Sequence, residues 1–190
     1  MANGTLKVSN IQTSSGSGTI TIGQSGETID LSNGTATLNS AMKNTPAWSA
    51  SIPSNVTGQS WNSTIVLSCS NEIFDTDSAY NNSTYRFVVP SGEAGKYFVN
   101  LYGGAKSESG GGMRTLIFNI RVNGSNEISY QRVSGSDFME NNQDQKNTVS
   151  AVLNLSEADY VDATIYAFGG SGSLTILAGT TLSGYKIIGA

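Results

Sequence analysis

Histidine is absent from all 190 residues. Its absence removes Ser-His and Cys-His nucleophilic catalysis and histidine-containing zinc sites, and a lone cysteine, Cys69, cannot replace them. One cysteine also excludes an internal disulfide framework. Within residues 64–69 (TIVLSC) it is expected as a buried thiol. Charge is scarce as well: 13% of residues are charged, with 14 acidic against 10 basic, for a net charge of -4. That balance offers no electrostatic footprint for nucleic acid or an anionic membrane, so neither is expected as a partner. No apolar run approaches the roughly 18 residues that span a bilayer. The opening MANGTLK has neither a charged leader nor an apolar stretch, so no secretory signal is expected there.

The acids are scattered. The close pairs Asp75/Asp77, Asp137/Glu140 and Glu157/Asp159 fall in expected turns and read as solvated carboxylates, whereas a glycosidase needs two carboxylates held across a cleft. No EF-hand-like spacing supports calcium in the acidic loops. The glycine-rich residues 107–112 (SESGGG) lack the following lysine and lie between strands, so they are not a phosphate-binding loop. No catalytic residue, metal or cofactor is expected, and the chain reads as a non-enzyme.

What is present is β-forming. With hydrophobic residues at 37%, the polar surface must be made of Ser, Thr, Asn and the 22 glycines, a composition of extracellular or virion β proteins. Residues 85–102 (YRFVVPSGEAGKYFVNLY) hold two β-rich runs around a turn-forming insert, which predicts an antiparallel hairpin. In residues 114–122, Leu116, Phe118, Ile120 and Val122 share one face and Thr115, Asn119 and Arg121 the other, which predicts a strand with one wet side. Asn123-Gly124 predicts a type I′ turn into a strand over 127–133. Val149, Ala151, Leu153 and Leu155 predict another one-sided strand. In residues 160–168, Val161, Ala163, Ile165 and Ala167 alternate with Thr164, Tyr166 and Phe168, so both faces are expected to be covered. Residues 137–146 predict an exposed polar loop with one helical turn. Trp48 and Trp61 read as core or intersubunit packing, with sugar stacking as the alternative.

Residues 1–45 differ. The segments TLKV, TITI, TIDL and TATL are short, alternating and separated by Gly, Ser and Asn. They read either as a linker or as an arm whose strands order by pairing with another chain, and the period-two apolar residues favour the arm. Leu6, Val8 and Ile11 are the expected anchoring residues.

Several pieces, in this order, resemble the C1q/TNF-like jelly-roll family: PAWSA at 46–50, FDT at 74–76, Tyr80-Asn81, Arg86-Phe87, Pro90, GKYF at 95–98, VSAVLNL at 149–155, the acidic turn at 157–159 and LSGYKII at 182–188. The resemblance implies an all-β antiparallel jelly-roll sandwich over residues 46–190, preceded by the extended β-rich arm of residues 1–45. It implies a homotrimer packed through one sheet, and near that contact Phe87, Tyr166, Phe168 and Tyr185 are expected. The chain lacks a collagen Gly-X-Y repeat, which sets it apart from the animal complement type. The arm resembles the N-termini of bacteriophage head-decoration and tail-fibre proteins. Together these imply a virion structural protein, assembled in the host cytoplasm, that decorates the capsid by binding the major capsid protein or another virion protein. A tail-fibre or receptor-binding knob, or a C1q-like protein or glycan recognition module, is the alternative. The short stretch ahead of the knob favours decoration over a fibre.

Overall fold

The computed structural model describes residues 45–108, 113–133, 143–169 and 172–187, with only the backbone for 126, 127 and 129–133. Leu6, Val8 and Ile11 of the arm, residues 109–112 of the glycine-rich stretch and residues 137–142 of the polar loop lie outside the described residues. Among the described residues every regular element is a strand.

Two antiparallel sheets form a sandwich. The first runs β4 (Asn71–Asp75), β1 (Ala47–Ser51), β13 (Thr181–Lys186), β7 (Gly95–Ser107) and β10 (Gln145–Leu155). Where β13 ends, β12 (Leu174–Ile176) takes its place beside the far end of β7, and β2 (Val56–Gln59) pairs with β12. The second runs β5 (Tyr80–Asn81), β6 (Arg86–Val88), β11 (Tyr160–Phe168), β8 (Thr115–Val122) and β9 (Ser125–Val133), with β3 (Thr64–Val66) also on β11.

Period-two alternation decides what each sheet buries. Tyr97, Val99 and Leu101 of β7 point inward, as do Leu116, Phe118 and Ile120 of β8 and Val161, Ala163, Ile165 and Ala167 of β11, and all are buried. At one end of this core Trp48 stacks on Phe87, with ring centroids 3.7 Å apart and planes 4° from parallel, and Tyr97 lies 5.7 Å from Phe87. Gly184 makes the Trp48 position possible: a Cβ there would sit 2.4 Å from the indole Cη2. The Asn123-Gly124 turn forms as expected, with φ of 51° and 81°, the two positive values that a type I′ turn requires.

The expected hairpin over 85–102 does not form. β6 belongs to the second sheet and β7 to the first, so the connection after Val88 crosses the sandwich. Val89 is held there by two backbone hydrogen bonds to the β10–β11 turn, Val89 N–H to Asp159 O and Ala158 N–H to Val89 O. The inward aromatics of the two strands, Phe87 and Tyr97, therefore meet across the core instead of lying side by side. Cys69 is buried as expected but follows β3 instead of lying within it, and burial pushes its thiol pKa up to about 11. Trp48 has no exposed surface, which excludes the sugar-stacking alternative for it, and Trp61 packs partly buried against the core.

Candidate functional site

Register builds the outer face of the first sheet as a grid. Ala47, Tyr185, Phe98 and Val152 stand directly opposite one another across β1, β13, β7 and β10. The next row is Ser49, Ser183, Asn100 and Ser150, and the one after it Ser51, Thr181, Tyr102 and Thr148. None of these side chains is charged. Phe74, opposite Ser49 on the edge strand β4, extends the grid. Its aromatic and apolar members are left open to water: Phe74 is 49% exposed, Tyr185 41%, Tyr102 44% and Val152 58%. The Phe98 and Tyr185 rings lie 5.5 Å apart and tilted by 38°. With Ala47, Ser49, Phe74 and Ser183 they enclose a groove of about 260 Å³ that Trp48 and Gly184 also line.

The outer face of the second sheet is of another kind. Asp162 of β11 has no exposed surface, and Arg121 of β8 grips both its oxygens, Nε to Oδ1 at 2.7 Å and Nη2 to Oδ2 at 2.8 Å. Arg86 of β6 donates from Nε to the same Oδ2 at 3.3 Å, and its guanidinium lies 4.0 Å from the centre of the Tyr160 ring. In the next row Asn119 donates to the Thr164 hydroxyl at 3.1 Å, both residues being buried. The buried polar groups of this face bond to one another.

The residues expected near an intersubunit contact are not brought together. Phe87 is enclosed in the core of its own chain and has no surface to offer a neighbour, because its ring fills the space against Trp48. Tyr166 and Phe168 lie on the second sheet and Tyr185 on the first. Sequence reasoning missed Phe98 and Tyr102, although residues 97–102 carry aromatic residues on both faces, as 160–168 do. It also missed Asp162, which with Thr164 makes the middle of the second face of β11 polar, while Tyr160, Tyr166 and the exposed Phe168 keep its ends aromatic as expected.

The remaining acids serve turns and rims. Asp75 accepts the backbone N–H of Asp77 at 3.2 Å and of Tyr80 at 2.7 Å. Hydrogen bonds from the Ser173 and Thr175 hydroxyls hold the Glu108 carboxyl below the usual carboxylate range, with a longer one from the Gly58 N–H at 3.4 Å. The Glu157 carboxyl is lowered in the same direction by the Ser91 side chain and the Gly92 N–H. No three acidic or cysteine side chains converge to hold a metal ion among the described residues.

The fold is similar to that of the globular domain of zebrafish complement 1qA protein, with a TM-score of 0.51 and 14% identity over 75% of this chain and 97% of that one. A TNF protein of S. frugiperda, Eiger, aligns over 76% of this chain and 95% of that one, with a TM-score of 0.49 and 12% identity. No family model and no curated protein matches the sequence. The described part of the chain is a C1q/TNF-like jelly roll; at this identity the likeness concerns the fold alone.

Proposed function

We propose that this chain is a non-enzymatic virion structural protein: a homotrimer, assembled through the outer face of the first sheet, that decorates a viral capsid and is held to the major capsid protein or another virion protein by residues 1–45. The observation that carries the trimer is the uncharged grid with Phe74, Tyr102, Tyr185 and Val152 open on it and Phe98 partly so. A contiguous apolar and small-polar face on a globular domain is the kind of surface that meets another protein. The resemblance to C1q/TNF domains implies the same arrangement, three copies around an axis through one sheet. What supports the decoration role is the composition and the period-two alternation of the arm's segments; on this reading Leu6, Val8 and Ile11 would fill apolar pockets while main-chain pairing supplies the rest.

Two measurements test this. Sedimentation of the full chain at micromolar concentration yields a trimer, and a well-behaved monomer overturns the assembly. Deleting residues 1–45 leaves that trimer folded but abolishes its incorporation into particles, and normal occupancy by the truncated chain overturns the anchoring role.

The second reading, a tail-fibre or C1q-like recognition knob, is favoured by one observation, the half-exposed Arg86 guanidinium on the second sheet.

A further inference from the structure

We propose that Arg86 is the centre of a binding site for a saccharide bearing a carboxylate. The proposal needs only the fold of the second sheet and stands whether or not the chain trimerises or decorates a particle.

Asp162 is a buried carboxylate, and such a group needs a partner. Arg121 already supplies one in full, with two parallel N–H to oxygen bonds at 2.7 Å and 2.8 Å. Arg86 is a second cation on an anion that is already paired, so the group of three carries a net single positive charge. Arg86 touches the carboxylate only through Nε, at 3.3 Å, and rests its face on Tyr160 at 4.0 Å. Its two Nη nitrogens bond none of the described residues, and its side chain is 38% exposed. A guanidinium held at its inner edge by a carboxylate and at its face by an aromatic ring, with the outer edge free, is a preorganised fork. That fork matches the two oxygens of a carboxylate, and little side-chain entropy remains to be lost on binding.

The surroundings select among carboxylates. Arg121 is consumed by Asp162, so one fork is offered, which suits one carboxylate and not a polyanion; the chain's net charge of -4 works in the same direction. The turn leading into β6 exposes Asn82, Ser83 and Thr84, amide and hydroxyl groups suited to sugar hydroxyls. That turn is tightly built. The Asn81 side chain accepts the N–H groups of Ser83 and Thr84 at 2.9 Å and 3.0 Å, and the Asn81 carbonyl accepts that of Tyr85 at 2.7 Å. It holds Tyr85, next to Arg86, at a φ of 60°, a conformation that a bulky residue adopts only when its surroundings impose it. On the other side of the fork Val88, 40% exposed, lies opposite Tyr160 and offers an apolar surface to the C–H face of a pyranose ring.

The test is an NMR titration of the full chain, following the side-chain Nε–H resonance of Arg86, with methyl glucuronide as probe. Methyl glucoside, an N-acetylglutamate amide and inorganic phosphate are the comparison ligands. The expected result is a saturable shift in the millimolar range for the glucuronide and none for the neutral glucoside, with binding weakened at least about tenfold in Arg86→Lys, which keeps the charge but loses the planar fork. Because Arg121 still neutralises Asp162, the Lys variant is expected to remain folded; should it not fold, the glucuronide-against-glucoside comparison in the native chain decides alone. An equal response to the glucoside, no saturable response, or binding indifferent to Arg86→Lys in a folded variant overturns the site. Tighter binding of the glutamate derivative or of phosphate overturns the saccharide carboxylate as its ligand.

Discussion

On the outer face of the first sheet, the three central rows are Ala, Ser, Thr, Asn, Tyr, Phe and Val, with Lys96 and Lys146 beyond them, and Tyr102, Tyr185 and Val152 stand about half in water. On the second sheet the corresponding positions of β11 and β8 pair Asp162 with Arg121 and Thr164 with Asn119. Polar groups that satisfy one another can be covered by their own long side chains and need nothing further. Aromatic rings set among serines have no such recourse, since a ring is relieved of water only by another surface. The second face also leaves Phe168 and Val66 about half exposed, so the two faces differ at their middle: a row of serines and aromatic rings on the first, and a closed set of bonded polar groups beside the Arg86 fork on the second.

The largest expected effect comes from placing a charge on the uncharged grid. Phe98→Asp puts an ionised carboxylate in the middle of a face that holds none, and its desolvation on assembly opposes the contact by several kcal/mol. The expected outcome is a shift from trimer to monomer in sedimentation velocity. The same aspartate at Tyr166, on the second sheet, leaves the assembly unchanged. Equal behaviour of the two variants would break the distinction between the faces.

The reverse experiment removes a charge where the fold depends on it. Asp162→Ala leaves Arg121 and Arg86 facing one another without their anion, and about 3–5 kcal/mol of stability should be lost in denaturant titration. Ser183→Ala in the middle of the first face is expected to change the unfolding midpoint of the isolated chain by less than about 0.5 kcal/mol. A small loss at Asp162 would mean that the buried pair contributes little and that the second face owes its cover to something else.

An effect that appears only at alkaline pH is expected at Cys69, in the core between the two faces. Burial raises its pKa from 9.0 to about 11, so the folded state favours the neutral thiol more than the unfolded chain does. Its contribution to stability is complete below the unfolded value and is lost as pH climbs from 9.0 towards about 11. Cys69→Ser removes that alkaline decline, because serine does not ionise there, at the cost of a poorer apolar fit. At pH 8 the native thiol should react with an alkylating reagent only as fast as the core opens; reaction at the rate of a free thiol would place Cys69 at the surface.

How much of this was legible in the sequence depended on distance along the chain. Strand identity in 97–102, 115–122 and 160–168 is local, written in period-two alternation, and so is the Asn123-Gly124 turn. Pairing is not local: Phe87 stands opposite Val161 and Phe98 opposite Val152, so the insert at 90–95 is compatible with a hairpin and with a crossing between sheets. The choice of face fails for the same reason. A run such as YFVNLY carries aromatic residues at both parities, and only the opposite sheet determines that Tyr97 is core and Phe98 surface. Asp162 sat unnoticed inside VDATIYAF because its partners Arg121 and Arg86 lie 41 and 76 residues away. The burial of Phe87 is equally nonlocal, since only the fold brings Trp48 onto its ring.

At the rim of the first sheet, away from its outer face, stands a hydrogen-bonded carboxylate, Glu108. Glu108 follows the end of β7 and accepts hydrogen bonds from Ser173 and Thr175, beside and within β12, and from the backbone of Gly58 in β2. These donors favour the charged form, so its pKa in the folded chain lies below the ordinary glutamate value of 4.5. The sign follows directly. Above 4.5 the carboxylate is ionised in both states and its contribution to stability is fully present; as pH falls through the lowered folded value, protonation removes it. Glu108→Gln keeps the shape and loses the charge, so its thermal midpoint should lie below that of the native chain at neutral pH and converge with it as the pH is taken below 4.5. The outer grid carries no titrating group over that range, so oligomeric state should not follow the same curve. If trimer dissociation tracked the Glu108 titration in the native chain but not in Glu108→Gln, the rim and the face would be a single coupled surface, and the separation drawn between them would fail.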